Sequence, residues 1–433
     1  MSLPPGPRLP RAVQALGWAR RSLPWLERCR ARYGDAFTLR IRHWGDWVVL
    51  ADEADVKAVF TAGDKVGVAL ANPLLGPVLG PRSVMLSEEP EHMRRRRVVL
   101  PAFHGEAIAN DAEAIGEVAR REIAAWPEEE PFALWPRMQR ITLEVVMRAV
   151  FGPRADDPRL DPLRARLADL TEYLNRPSSL AALTIFGPEW VRRSHGYRQA
   201  MRPVEDAALA EVRRRRAEPI PDRPDVVSML IAARREDGSP LGEGELRDEL
   251  LTLLTDGPTS TSLAWTFERL LRNPETLARA RREVADDGGS GDDGGGAYLD
   301  AVVKETLRMR PPVPVVVRRL REPMRIAGRD LPAGTVVAPC IHLLHRDPRH
   351  YPEPLCFRPE RFLERPAGTY TWIPFGGGVR RCLAASYAEL EMKRVLREVL
   401  AAVDLRPVDG RDERVRKAAI SFSPGEKGLV MVG

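Results

Sequence analysis

The chain has 433 residues, 44% hydrophobic and 30% charged, which excludes a disordered or fibrous protein and allows two or three domains or one large core. Lys and Arg exceed Asp and Glu by 67 − 61 = +6, too mild an excess to mark a nucleic-acid binder but enough for a local basic face turned to an acidic partner. Four cysteines (Cys29, Cys340, Cys356, Cys382) with no C-x-x-C pair exclude a disulfide framework and a zinc ribbon, and point to a reducing, cytoplasmic setting.

Residues 1–21 are broken by Pro4, Pro5, Pro7 and Pro10 and carry Arg8 and Arg11, so they do not read as a signal peptide. No run reaches the ~18 apolar residues of a membrane helix, so no membrane anchor is expected. Alternation over 37–41 and 47–50, about Gly45, predicts a hairpin. The middle is predicted helical. Ile141, Val145, Val146, Ala149 and Val150 share one face, and a long helical pattern over 246–270 is interrupted at Gly257-Pro258. Residues 213–216, all Arg, read as a solvated helix face. The Asp/Gly-rich run 286–296 cannot bury anything and is expected to be a flexible surface loop within a single domain, 1–433. Residues 311–315 form a rigid extended segment after a helix. A second hairpin is expected over 324–339, turning at Gly328 and at Pro332-Ala333-Gly334. A last helix, 389–403, places Val395, Leu396, Val399, Leu400 and Val403 on one side.

The informative segment is Phe375-Gly376-Gly377-Gly378-Val379-Arg380-Arg381-Cys382-Leu383-Ala384-Ala385. It is a Gly-rich bend ending in a cysteine and followed by a helix. A thiolate is favoured at a helix N-terminus, and Arg380 and Arg381 add positive potential. The glycines let the backbone pass close to something flat and bulky. Three readings fit: a buried structural cysteine, a catalytic nucleophile, or a thiolate ligand to heme iron. Spacing alone does not choose between the last two.

The segment resembles the cysteine loop of the cytochrome P-450 (heme-thiolate) family, F-x-x-G-x-R-x-C-x-G/A, with Phe375, Gly378, Arg380, Cys382 and Ala384 in the matching places. Three further signatures follow the family's order. Glu305-Thr306-Leu307-Arg308 resembles its E-x-x-R helix, 357–362 its P-E-R-F segment, and His92-Met93-Arg94-Arg95-Arg96 its heme-propionate helix. The resemblance spans roughly the whole chain and is to the soluble bacterial type. It implies a mainly α fold with a small β region, a helix-rich triangular prism with short β-sheets. It implies heme b (iron protoporphyrin IX), with Cys382 on the metal and with His92, Arg96, Arg318, Phe375 and Arg380 binding the cofactor. Arg319, adjacent to Arg318, makes that assignment ambiguous. Glu305, Arg308 and Arg361 are implied to form a buried structural triad that holds the cysteine loop. Arg94, Arg95 and Arg97 read as a solvated basic face.

One stretch departs from the family. Its helix over the heme carries A/G-G-x-D/E-T-T, where the acid and the first Thr pass protons. Here Leu254-Thr255-Asp256-Gly257-Pro258-Thr259 puts Gly257 at the acid and Pro258 at that Thr. Pro258 removes a helical hydrogen bond, so a kink is expected. Thr255 and Thr259, at i, i+4 on one face, with Asp256 and ordered water, are the candidate replacement relay. Impaired proton delivery is the other reading.

Leu254, Pro258, Val315, Val316 and Phe422 are the expected pocket residues, together with the loop around Leu74, Leu75, Val78 and Leu79. They are apolar and favour a terpenoid, fatty acid or steroid-like substrate. The resemblance implies a monomeric monooxygenase using O2 and fed by ferredoxin and ferredoxin reductase, with an acidic ferredoxin docking near Arg94, Arg95, Arg97 and Arg381. The alternatives are a peroxide-driven oxygenase and a non-enzymatic heme-thiolate sensor or carrier.

Overall fold

The computed structural model describes residues 3–68, 71–100, 106–219, 225–235, 237–255, 258–286, 296–418 and 421–433. The helices of the first half are α1 (Arg11–Tyr33), α2 (Glu53–Phe60), α3 (Ala71–Leu79), α4 (Glu91–Val99), α5 (Glu106–Ile123), α6 (Leu134–Phe151), α7 (Asp161–Asn175), α8 (Pro177–Phe186), α9 (Pro188–Arg193) and α10 (His195–Arg216). Those of the second half are α11 (Val226–Ala232), α12 (Glu243–Leu254), α13 (Thr259–Leu271), α14 (Pro274–Asp286), α15 (Ala297–Met309), α16 (Ile341–Leu344), α17 (Arg361–Glu364) and α18 (Ala385–Ala402). Short strands fill the gaps: β1 (Ala36–Ile41), β2 (Gly45–Leu50), β3 (Val66–Val68), β4 (Phe132–Ala133), β5 (Arg318–Leu320), β6 (Met324–Ile326), β7 (Arg329–Leu331), β8 (Val336–Pro339), β9 (Leu405–Pro407), β10 (Val415–Ala418), β11 (Ser421–Pro424) and β12 (Leu429–Val432). The mainly α class expected from the sequence is the class found. Among the described residues, no helix is long and apolar enough to cross a membrane.

The first hairpin forms as expected, with Phe37 opposite Val49 and Leu39 opposite Trp47. It is one edge of a five-stranded sheet in the order β1-β2-β8-β5-β3. The 324–339 stretch divides rather than forming one hairpin. β6 and β7 pair with each other about Gly328, while β8 runs parallel to β2 and antiparallel to β5. All four residues of β8 are buried, and a strand apolar on both faces belongs inside a sheet rather than in an exposed ribbon.

α13 lies at the centre of the helical body, packed against α6, α15 and α18, and it is buried from Ser260 to Leu270. The predicted faces are the buried ones. Ile141, Val145 and Val150 of α6 and Val395, Leu396 and Val399 of α18 share one core, with Val146, Ala149, Leu400 and Val403 at its margin. The pattern over 246–270 is two helices, not one kinked helix. Pro258 caps α13 at φ −66° and ψ 6°, and its carbonyl accepts from Ser262 N at 2.9 Å and Ser262 Oγ at 3.0 Å. A residue without an N–H, feeding its carbonyl forward, starts a helix more readily than it continues one. Asp256 and Gly257, and 287–295 of the expected surface loop, lie outside the described residues.

Two arginine runs are only in part the solvated faces expected: Arg97, Arg213 and Arg216 are exposed, but one residue of each run is turned inward. Arg215 is 4% exposed and pairs with Asp225 and with Ser228 Oγ. Arg95 of α4 donates to Glu91 at 2.6 Å and to Glu245 and Glu249 of α12 at 2.9 and 3.0 Å. The same stretch of α12 holds the 82–84 backbone, since Asp248 accepts from Arg82 N and Glu249 from Val84 N. α4 is thereby tied to the start of the central helices.

Candidate functional site

The cysteine loop folds on its own backbone. Cys382 N donates to Phe375 O at 2.9 Å and Arg381 N to Gly378 O at 3.1 Å, with Gly376 and Gly378 at φ +69° and +68°. Such angles are open to Gly at little cost. The flat neighbour that the glycines admit is Phe60, at the end of α2. A Cβ on Gly377 would lie 2.1 Å from its ring and one on Gly378 2.1 Å from its carbonyl oxygen. The Cys382 side chain keeps accessible surface although protein closely surrounds it, so it faces a recess within the fold. Burial pushes its thiol pKa up, while the Ala384 N–H, Arg381 and Arg96 favour the thiolate.

Four cations gather beside this loop. Arg96 of α4 interacts with Cys382, Arg381 and, at longer range, Glu89, and burial lowers its pKa. Arg318 of β5 turns inward, whereas Arg319 is exposed, which removes the ambiguity between them. Burial, then Arg380, pushes Arg318 down to about 10, and its guanidinium donates only to its neighbour's carbonyl, Val317 O, at 2.9 Å. Neither Arg96 nor Arg318 makes an ion pair among the described residues. Arg380 donates to Ser87 O at 2.8 Å and lies 3.6 Å from Glu88 and 3.8 Å from Glu89. Glu89 also holds His92 Nδ1, at 2.7 Å, and burial, more than Arg380, lowers the His92 pKa. The sequence reading missed these two acids, although Glu88 and Glu89 stand only four and three residues ahead of His92.

Glu305 is the shared acceptor of a fully buried cluster. Arg308 Nε and Nη2 reach its two oxygens at 2.7 and 2.9 Å, and Arg361 Nε reaches it at 3.1 Å. Arg308 also donates to the carbonyls of His345 and Pro354. His345, missed in the sequence, joins this cluster to the approach to the cysteine loop. Its Nε2 accepts from Ile373 N at 2.8 Å, so its Nδ1 carries the proton toward Arg308 O at 3.2 Å. Its only sequence signal is a histidine at the end of the apolar 341–344 turn.

Thr255 and Thr259 are not brought onto one helical face, because α12 ends at Leu254 and α13 begins at Thr259. Thr255 caps α12 and spends its hydroxyl proton on Leu251 O at 2.6 Å, whereas Thr259 opens α13. Among the pocket candidates, Leu254 exposes no surface and is a core residue, and Phe422 is buried as well. Pro258, Val315 and Val316 are half-buried, and Val316 Cγ1 would stand 3.8 Å from a Cβ on Gly376, beside the cysteine loop. A separate cavity of about 280 Å³, between α13 and the C-terminal strands, is lined by charged side chains, among them Arg272 paired with Asp409, and Asp412 paired with Arg269. It does not suit an apolar molecule.

The cytochrome P450 family model matches residues 4–429. The chain belongs to the cytochrome P450 family. Among curated relatives, "Putative cytochrome P450 135B1" of Mycobacterium tuberculosis is 42% identical over 441 residues, covering 100% of this chain and 92% of the relative. "Putative cytochrome P450 137" of the same species is 36% identical, over 97% of this chain and 89% of the relative. Two solved structures share the fold at 23% identity: retinoic-acid-bound cyanobacterial CYP120A1, at TM-score 0.86 with both chains fully covered, and the cytochrome P450DA heme domain, at TM-score 0.83 over 100% of this chain and 97% of that one.

As a cytochrome P450 the protein is a heme-dependent monooxygenase that works with O2 and redox partners. Its residues fit the heme. Among the described residues, two inward guanidiniums, Arg96 and Arg318, have no carboxylate within ion-pair distance, and the heme brings two propionates to a loop that presents a thiol. Among the described residues, no group of three His, Cys, Asp or Glu side chains is set to hold a metal alone.

Proposed function

We propose that this cytochrome P450 inserts one oxygen atom from O2 into a hydrophobic small molecule, terpenoid, fatty acid or steroid-like, with electrons from ferredoxin and ferredoxin reductase. It acts as a cytoplasmic monomer whose 1–433 chain is one domain. The observation that carries the reading is the pair of inward guanidiniums beside the Cys382 loop that, among the described residues, have no carboxylate within ion-pair distance.

Cys382 Sγ is the metal ligand, and Arg96, Arg318, His92 and Arg380 hold the propionates, with Phe375 packed at the loop's entry. Bound heme supplies the O2-activating chemistry, which no side chain of this protein provides. Arg96 and Arg381 offset the charge of the thiolate as Cys382 loses its proton. Glu305, Arg308 and Arg361 hold the loop in place from behind. Pro258, Val315 and Val316 border the substrate and keep water from it. Thr259 Oγ1, with Asp256 and ordered water, carries protons inward. Thr255 has its hydroxyl proton engaged and serves as an acceptor.

Ferredoxin docks by charge near the exposed Arg97 and Arg381. Arg95 is not part of that face, because its guanidinium is used on α12.

The test is the carbon monoxide difference spectrum of the reduced protein. A thiolate-type band is expected in the native protein and its loss in Cys382→Ser; an unchanged spectrum in that variant removes the assignment. Turnover of a lipophilic library with surrogate ferredoxin and reductase, beside a peroxide-only control, separates the monooxygenase from the peroxide-driven and sensor readings.

A further inference from the structure

Among the described residues, Lys417 is a cation without an anion. It lies on β10 directly opposite Phe422 of β11, and opposed residues of an antiparallel pair share a face. Its Nζ stands 5.2 Å from the centre of the Trp18 ring on α1, and Trp18 meets Trp47 edge-on at 5.4 Å. Among the described residues no charged group acts on it; burial alone holds its pKa down to about 8. The residue is half-buried, neither sealed in the core nor free at the surface. A cation–π contact offsets only part of the cost of desolvating an ammonium.

The hairpin is fixed to the elements that border the cysteine loop. Phe422 N donates to Pro312 O at 2.9 Å, and Phe422 O accepts from Trp265 Nε1 at 2.7 Å. Pro312 leads directly into Val315 and Val316, and Trp265 lies within two turns of Thr259 on α13. Arg416, next to Lys417, is on the opposite face and donates to Asn175 O at 3.2 Å. One ammonium, with no second basic group acting on it among the described residues, suits a monoanionic head group rather than a phosphate.

We propose that Lys417 anchors the substrate's carboxylate, so that the molecule oxidised is a lipophilic carboxylic acid held by its head group at the β10–β11 hairpin, with its apolar body beside Val315 and Val316. The aromatic wall of Trp18 and Trp47 excludes water from the ion pair. This rests on the monooxygenase reading above and narrows its substrate class.

Equilibrium dialysis of the heme-loaded full chain against dodecanoic, hexadecanoic and abietic acids, each beside its methyl ester, tests the proposal. At least one acid is expected to bind about tenfold or more tightly than its own ester. Lys417→Met brings that ratio to about one, and Lys417→Arg, which keeps the charge, retains the preference. The carbon monoxide band checks that each variant has assembled, and Lys417→Gln replaces Lys417→Met if the latter does not. No acid binding more tightly than its ester overturns the proposal, and so does an undiminished preference in the neutral variant. A native protein lacking the band sinks the monooxygenase reading, whereas a normal band without an acid preference sinks the carboxylate anchor alone.

Discussion

Glu305 carries two buried guanidiniums on one carboxylate. Removing its charge leaves Arg308 and Arg361 uncompensated, so Glu305→Gln is expected to cost about 3–5 kcal/mol, read as a lowered urea midpoint. The E-x-x-R spacing was visible in the sequence, but an i, i+3 pair is most often solvated. What makes this one costly is the packing of His345 and Pro354 around Arg308, and neither residue is near it in the chain. The same scale decides the proton relay. Thr255 has its proton committed, so Thr259→Ala should lower product formed per NAD(P)H consumed more than Thr255→Ala does. Equal coupling in both variants removes Thr259 from the relay.

His345 bridges elements, joining the end of α15 to the segment that leads into the cysteine loop. It is fully buried, and burial pushes its pKa down to about 3; His342, beside Glu27, falls to about 4. Unfolded histidines titrate near ~6.5. Below that pH the unfolded chain takes up protons that the native state refuses, so stability is lost as pH falls from about 6.5 toward the folded values. One such histidine removes about 2 kcal/mol between pH ~6.5 and ~5. Chemical denaturation across that range should show the slope, and His345→Gln should reduce it by one proton. At this scale the sequence was partly legible. Apolar periodicity located α6, α13 and α18, because their buried faces repeat locally. It did not locate β8 within the sheet or Arg95 against α12, because those partners lie far along the chain and periodicity carries no record of them.

For the molecule as a whole, the count of 67 Lys and Arg overstates the basic groups available to a partner. Arg95, Arg215 and Arg308 are consumed internally, leaving Arg97 and Arg381 among the exposed cations near the site. Reduction by an acidic ferredoxin should therefore slow with added salt, and Arg97→Glu should slow it on the order of tenfold at low ionic strength, measured by stopped flow. A rate indifferent to salt would remove that docking face.

His92, the inward guanidiniums and the thiol come from positions 92, 96, 318, 380 and 382, and Glu305 and Arg361 brace them from two further segments. Contacts this distant in the chain close late in folding. A polypeptide still threaded through the ribosome has no place for a pigment, so colour should arrive only after release. A premature stop codon ahead of the cysteine should yield a pale product however much of the helical body survives.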